Sequence, residues 1–125
     1  MFVSSILIAL WLLIGTAHAQ VVSCTLTTMV ARPHPASEIA YTIGTPDQCA
    51  LLVFQNTGAQ TVTVPKPGTT FFPPGFTFRT FSMGAGGVTL SAASGTLING
   101  GSSLAKAQGT GADCATDGTN WYCKP

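Results

Sequence analysis

The feature that most constrains this chain is its punctuation. Gly, Pro and Asn interrupt it at short, regular intervals and leave no helix-length amphipathic window between them. What remains are strand-length runs. QTVTVP places Val62 and Val64 on one face and Thr61 and Thr63 on the other, and Pro65 ends it. CALLVFQN, before it, is nearly continuous apolar and reads as a central strand. With Asn56-Thr57-Gly58-Ala59 as a tight connection, Cys49 to Pro65 reads as a hairpin. The prolines of PKPGTTFFPPG remove backbone donors, which makes a loop whose Phe71 and Phe72 are expected to fold back as a lid on the core. GFTFRTFS resumes alternation, with Phe76 and Phe78 on one face and Arg79 and Phe81 nearer the other. MGAGG then turns the chain into GVTLS, a second expected hairpin. Gly95 to Asn99 is a further strand candidate, and Ser102 to Gln108 is either a strand or one helical turn through LAKAQ. Upstream, VVSCTLTTMV and EIAYTIGT flank the polar, kinked ARPHPAS. Short strands at this spacing predict an all-β fold: one small β-sandwich or barrel-like domain of short antiparallel strands. No internal repeat long enough for a solenoid is visible.

The chain opens MFVSSILIALWLLIGTAHAQ, an apolar run followed by Ala17-His18-Ala19. This is the pattern of a secretory signal peptide with an A-x-A site, so residues 1–19 are expected to be removed after Ala19 and residues 20–125 to form the domain. The apolar run is shorter than a bilayer requires, and nothing later in the chain is apolar enough to span one. Val21-Val22-Ser23-Cys24 loosely resembles a lipobox, which makes a lipoprotein anchored through Cys24 the minor alternative. Cysteine parity favours the other reading. Cys24, Cys49, Cys114 and Cys123 form an even set in an exported chain, as a disulfide framework requires, and lipidation of Cys24 would strand Cys49. The expected location is secreted or periplasmic.

Charge narrows the partners. Five basic and four acidic residues give a net charge of +1, which is no footprint for nucleic acid or for an anionic membrane. The candidates for chemistry are few. His34, the one histidine of the mature chain, lies between Pro33 and Pro35 and reads as a solvated loop residue, not as the base of a triad. Asp113 and Asp117 suggest paired carboxylates, but Asp117 beside Gly118 is accounted for by a turn. The cysteines lack the spacing of a zinc site, and MGAGG is followed by a strand with no Lys-Ser or Lys-Thr, so neither a metal nor a phosphate cofactor is expected. The aromatics Tyr41, Phe71, Phe72, Trp121 and Tyr122 either fill a core otherwise built of small residues or form a stacking platform for sugars.

From Val53 onward the order of motifs is an apolar strand ending in Asn, then QTVTVP, FFPPGFTF, GAGGVTLSAASGTLING and a terminal DGTNWY. It resembles a β-rich module of bacteriophage tail-fibre and other virion structural proteins over about Cys49 to Tyr122. The resemblance implies a non-enzymatic structural or receptor-facing part, of the kind that forms trimeric fibres. The functional expectation is therefore a structural or surface-interaction module. Its candidate partners are further copies of itself, a cell-surface protein or a cell-surface glycan, the last as a carbohydrate-recognition alternative; a small secreted hydrolase whose activity depends on His34 is the least favoured alternative.

The final segment, CATDGTNWYC, reads as a hairpin. A turn over Asp117 to Asn120 sets Thr116 opposite Trp121, Ala115 opposite Tyr122 and Cys114 opposite Cys123. Opposed strand residues are close enough for a disulfide, so Cys114 is expected to pair with Cys123 and Cys24 with Cys49. Alternation then sends Trp121 and Cys123 to one face and Tyr122 to the other.

Overall fold

The computed structural model describes Cys24, residues 29–68 and residues 71–125. The expected leader, residues 1–19, lies outside the described residues. So does most of VVSCTLTTMV, of which Cys24, Met29 and Val30 are described. Nine strands follow: β1 (Val30–His34), β2 (Ala40–Thr42), β3 (Ala50–Phe54), β4 (Gln60–Val64), β5 (Thr77–Ser82), β6 (Val88–Ala92), β7 (Ser103–Lys106), β8 (Gly111–Thr116) and β9 (Trp121–Lys124). Among the described residues the only helical element is a short 3-10 turn, Thr45–Asp47. The strands form two sheets, ordered β1-β3-β5-β8-β9 and β2-β4-β6-β7.

The all-β, disulfide-stapled architecture is as expected, but the direction of pairing is not. Strands β1 to β6 alternate between the sheets, so β1, β3 and β5 run parallel, as do β2, β4 and β6. Only β5 with β8, β6 with β7 and β8 with β9 are antiparallel. The expected hairpins over Cys49 to Pro65 and over GFTFRTFS to GVTLS are therefore corners that carry the chain across the core. The reason lies in Asn56, which turns inward with 1% exposure instead of capping a surface turn. Its side-chain amide donates to the carbonyls of Gly58 and Gly87, tying one corner to the next. Gly84 completes the stack: a Cβ there would lie 1.8 Å from the Asn56 carbonyl oxygen, so only glycine permits this approach. One turn of the coil advances 20 or 21 residues (Val30 to Ala50, Ala40 to Thr61) and the next 28 (Leu51 to Arg79, Gln60 to Val88). The unequal turns hide the coil from any search for a fixed period.

Three further segments differ from expectation. ARPHPAS is not a free loop, because Val30–His34 is the edge strand of the five-stranded sheet. An edge strand tolerates Pro33, since one side of it has no ladder to complete. Gly95 to Asn99 is a turn in which Ile98 alone makes bridges, to Gly101 and to Trp121. Ser102 to Gln108 resolves as a strand, β7.

The core lies between the sheets. Leu52, Phe54 and Phe78 face Val62, Val64 and Leu90, all fully buried or nearly so. Trp121 closes one end with no exposed surface. Its ring stands 5.4 Å from Phe78, 6.0 Å from Phe76 and 6.4 Å from Phe72 in edge-to-face contacts, and its Nε1 donates to the Pro65 carbonyl at 2.8 Å. That bond joins the last strand of one sheet to the end of β4 in the other. Both expected disulfides are present, Cys24 with Cys49 and Cys114 with Cys123. The first consumes the thiol that lipidation of Cys24 would require. Two such bonds belong to an oxidising compartment, periplasmic or extracellular.

Candidate functional site

The hairpin at the C-terminus has the register its sequence implies: Thr116 opposite Trp121, Ala115 opposite Tyr122 and Cys114 opposite Cys123, with Cα atoms of the two cysteines 4.1 Å apart. Alternation buries Trp121 and Cys123 and leaves Tyr122 on the outer face, 53% exposed. Because β8 also pairs with β5, two rows of side chains cross that outer face. One is Thr77, Ala115 and Tyr122; the other is Arg79, Asp113 and Lys124. Together they line a groove of about 460 Å³, with Cys24 and Met29 along one side.

Local chemistry fixes the groove's walls. Asp117 is a turn residue, as expected: its Oδ1 accepts from the backbone N–H groups of Thr119 at 2.7 Å and Asn120 at 2.8 Å. Its Oδ2 accepts the Tyr122 hydroxyl at 3.0 Å. The backbone donors at Asn120 and Thr119 hold the Asp117 carboxyl below the usual range, and the bond to that carboxylate raises the Tyr122 phenol above its own. The Tyr122 ring is thus held in place from its hydroxyl end. On the opposite wall the Thr77 hydroxyl donates to Cys24 Sγ at 2.8 Å. In the charged row, Arg79 Nε bonds Asp113 Oδ1 at 2.9 Å, and Lys124 stands across from Asp113 on the far strand without an ion pair among the described residues.

The structure separates the five aromatic candidates. Tyr122 and Phe71 are exposed, whereas Trp121 and Phe72 belong to the core and cannot offer ring faces to a ligand. Half of the expected Phe71-Phe72 lid is therefore real: Phe72 lies 5.1 Å from Phe76, while Phe71 is 62% exposed. Tyr41 is half-buried and its hydroxyl donates to Asp47 Oδ2 at 2.7 Å. Arg79, Asp113 and Lys124 did not stand out together as a site from sequence. The alternation in each strand marks them as outward-facing, but the β5 to β8 pairing that joins them into a row has no local signal.

A second polar cluster lies between the sheets at the opposite edge. His34 is not the solvated loop residue its sequence context suggests: it ends β1 with 9% exposure, stacked 4.7 Å from Phe54 and edge-on to Tyr41 at 4.2 Å. Its Nδ1 is 2.6 Å from Glu38 Oε2, which also accepts from Gln60 Nε2 at 3.3 Å. The fully buried Asp47 carboxylate accepts from Gly44 N–H at 2.8 Å and pairs with Arg32 at 3.4 Å, fastening the 3-10 turn to β1 and β2. Ser82 Oγ is buried without a hydrogen-bond partner and shares a row with His34, but Phe54 stands between them. Two strand spacings, about 9.5 Å, separate their backbones, too far for a base to take a proton from that hydroxyl. Asp113 and Asp117 likewise do not form a pair, since one bonds Arg79 and the other the turn. Among the described residues no group of three or more His, Cys, Asp or Glu side chains is placed to hold a metal ion. Comparison with models of known protein families and with curated proteins returns no match.

Proposed function

We propose that this chain is an exported, non-enzymatic module that works by surface contact, with the outer face of the five-stranded sheet as its contact surface. The leader at residues 1–19 delivers residues 20–125 to the periplasm or the exterior, in keeping with the two disulfides. The observation that carries the reading is the groove. Its exposed Tyr122 ring and charged row lie on a face whose reverse side already supplies the core, so stability does not require them there.

Three of the four edge strands, β1, β9 and β7, are blunted, which favours contact through a face over assembly through those edges. Pro33 interrupts the outer edge of β1, and the 97–99 segment covers the outer edge of β9. In β7, Lys106 shares the inward face with buried Val88, a charge placed where it discourages another strand from adding. The likeness to tail-fibre modules is compatible with a receptor-facing role of this kind.

The test is binding of oxidised residues 20–125 to a glycan array and to intact bacterial cells. Binding that disappears in Tyr122→Ala and Arg79→Ala, with circular dichroism unchanged, supports the reading. Binding that is indifferent to both substitutions removes the groove from the function.

A further inference from the structure

Resting on the groove as the contact surface, we infer that it takes an acidic saccharide, a sugar chain carrying carboxylate groups. The slot between Thr77 and Tyr122 spans two strand spacings, about 9.5 Å, and its floor is the methyl group of Ala115. That leaves a shallow, flat-bottomed space with an aromatic wall. Tyr122 is held before any ligand arrives, because its hydroxyl is bonded to Asp117, so little side-chain freedom is lost on binding. A pyranose presents an apolar C–H face to such a ring and hydroxyls around its rim.

Charge selects the acidic class. The row next to the slot lies one side-chain step away, about 6.8 Å along the strands, and reads Arg79, Asp113, Lys124. The Asp117 carboxylate lies away from this row, beyond the Tyr122 hydroxyl at the turn; within the row Asp113 is engaged by Arg79 Nε, which leaves the remaining guanidinium N–H groups and the Lys124 ammonium as donors and a net charge of +1 at that end of the slot. A ligand carboxylate balances that charge; a neutral sugar leaves it unbalanced. Other ligand classes fit less well. An extended peptide is recognised by adding to a strand edge, and this surface offers a face with side chains only. A nucleic acid needs a track of cations along its phosphates, and on this face, among the described residues, Lys124 and the Asp113-paired Arg79 do not supply it.

The experiment uses 15N-labelled, oxidised residues 20–125 titrated with a galacturonate trisaccharide, an alginate trisaccharide and sialyllactose, each against its neutral counterpart. At least one acidic sugar is expected to shift the amide resonances of Thr77, Asp113, Ala115, Tyr122 and Lys124, and to bind at least tenfold more tightly than its neutral partner. Lys124→Gln is expected to erase that preference and Tyr122→Ala to abolish binding, while 0.5 M NaCl weakens it. Equal binding of acidic and neutral sugars, shifts confined to another surface, or no binding of any acidic sugar overturns the inference. If Tyr122-dependent binding to the array or to cells persists in any of those cases, the contact surface stands and only its ligand class is wrong. If that dependence is also missing, both fail.

Discussion

The side-chain amide of Asn99 pairs with the backbone of Cys123 as a neighbouring strand would. Asn99 Oδ1 accepts the Cys123 N–H at 2.8 Å and Asn99 Nδ2 donates to the Cys123 carbonyl at 2.7 Å. Two residues earlier on β9, Trp121 N–H donates to the Leu97 carbonyl at 2.9 Å, and the Trp121 carbonyl accepts the Asn99 N–H at 3.0 Å. The outward-facing peptide groups of the last strand are therefore all satisfied by residues 97–99, and no row of unpaired donors is left for another chain. Asn99 manages this at φ 52°, a left-handed conformation that Asn tolerates better than most residues.

Replacing Asn99 by Ala removes both bonds and keeps the unfavourable φ. We expect a loss of about 1 to 3 kcal/mol in urea denaturation, and stronger concentration-dependent association than the wild type shows in light scattering. Asn99→Asp keeps the acceptor for the Cys123 N–H but sets a carboxylate against the Cys123 carbonyl. It should destabilise at neutral pH and recover in part when acidified. Wild-type behaviour of Asn99→Ala in both assays would show that water replaces the clamp without cost.

Trp121 is a core residue, so it is the wrong place to test ligand binding. Trp121→Ala should cost about 3 to 5 kcal/mol and leave residues 20–125 largely unfolded by near-ultraviolet circular dichroism. Trp121→Phe keeps most of the packing but strands the Pro65 carbonyl, and should lower the midpoint by a smaller amount while leaving the fold intact.

The chain's two tyrosines are both expected to titrate above their usual value of 10, for different reasons. Burial, followed by the bond to Asp47, raises Tyr41, and the bond to Asp117 raises Tyr122. The folded state therefore holds these protons where the unfolded state gives them up. The stabilisation is complete below pH 10 and falls away as pH rises through the folded-state values. Asp117, held low, works in the opposite sense: its contribution is present above the ordinary carboxyl range and is lost as pH falls through its folded value. Tyrosinate absorbance should show Asp117→Asn returning one tyrosine towards 10 and leaving the other displaced. A common shift of both would break the assignment.

Cys49 also occupies a left-handed conformation, φ 59°, which a side chain tolerates poorly. On the loop-entropy argument its bond to Cys24, with a sequence separation of 25, contributes roughly 3.5 kcal/mol. Cys24→Ser with Cys49→Gly should therefore be more stable than Cys24→Ser with Cys49→Ser by about 1 kcal/mol, although both lack the disulfide. Thermal unfolding of the two double variants checks the sign.

What could be read from the sequence and what could not divide along local and distant pairing. The β8 to β9 hairpin was legible to the residue because its turn chemistry, Asp117 bonding two N–H groups and Gly118 at φ 95°, acts within a few positions. The inward and outward faces of β4, β5 and β9 were legible because alternation is a property of each strand alone. The partner of each strand was not. Asn56-Thr57-Gly58-Ala59 has the composition of a hairpin turn, and only the burial of Asn56 against Gly87, 31 residues away, makes it a corner. His34 misled for the same reason: its flanking prolines signal a loop, and its burial depends on Phe54, Tyr41 and Glu38 meeting around it. Tyr122 was found from local register, whereas the charged row beside it needed β5 and β8 to be neighbours.

The parallel coil also has a consequence for the order in which the molecule can come together. Each of the strands β1 to β4 pairs only with strands one turn before or after it, 20 to 28 residues away, so the part of the chain that synthesis releases first contains no pairing between consecutive strands. The pieces able to pair with a near neighbour, β6 with β7 and β8 with β9, arrive last. These two pairs have the lowest loop-closure cost, so folding is expected to begin at them, and deleting β8 and β9 is expected to slow refolding as well as to remove two strands.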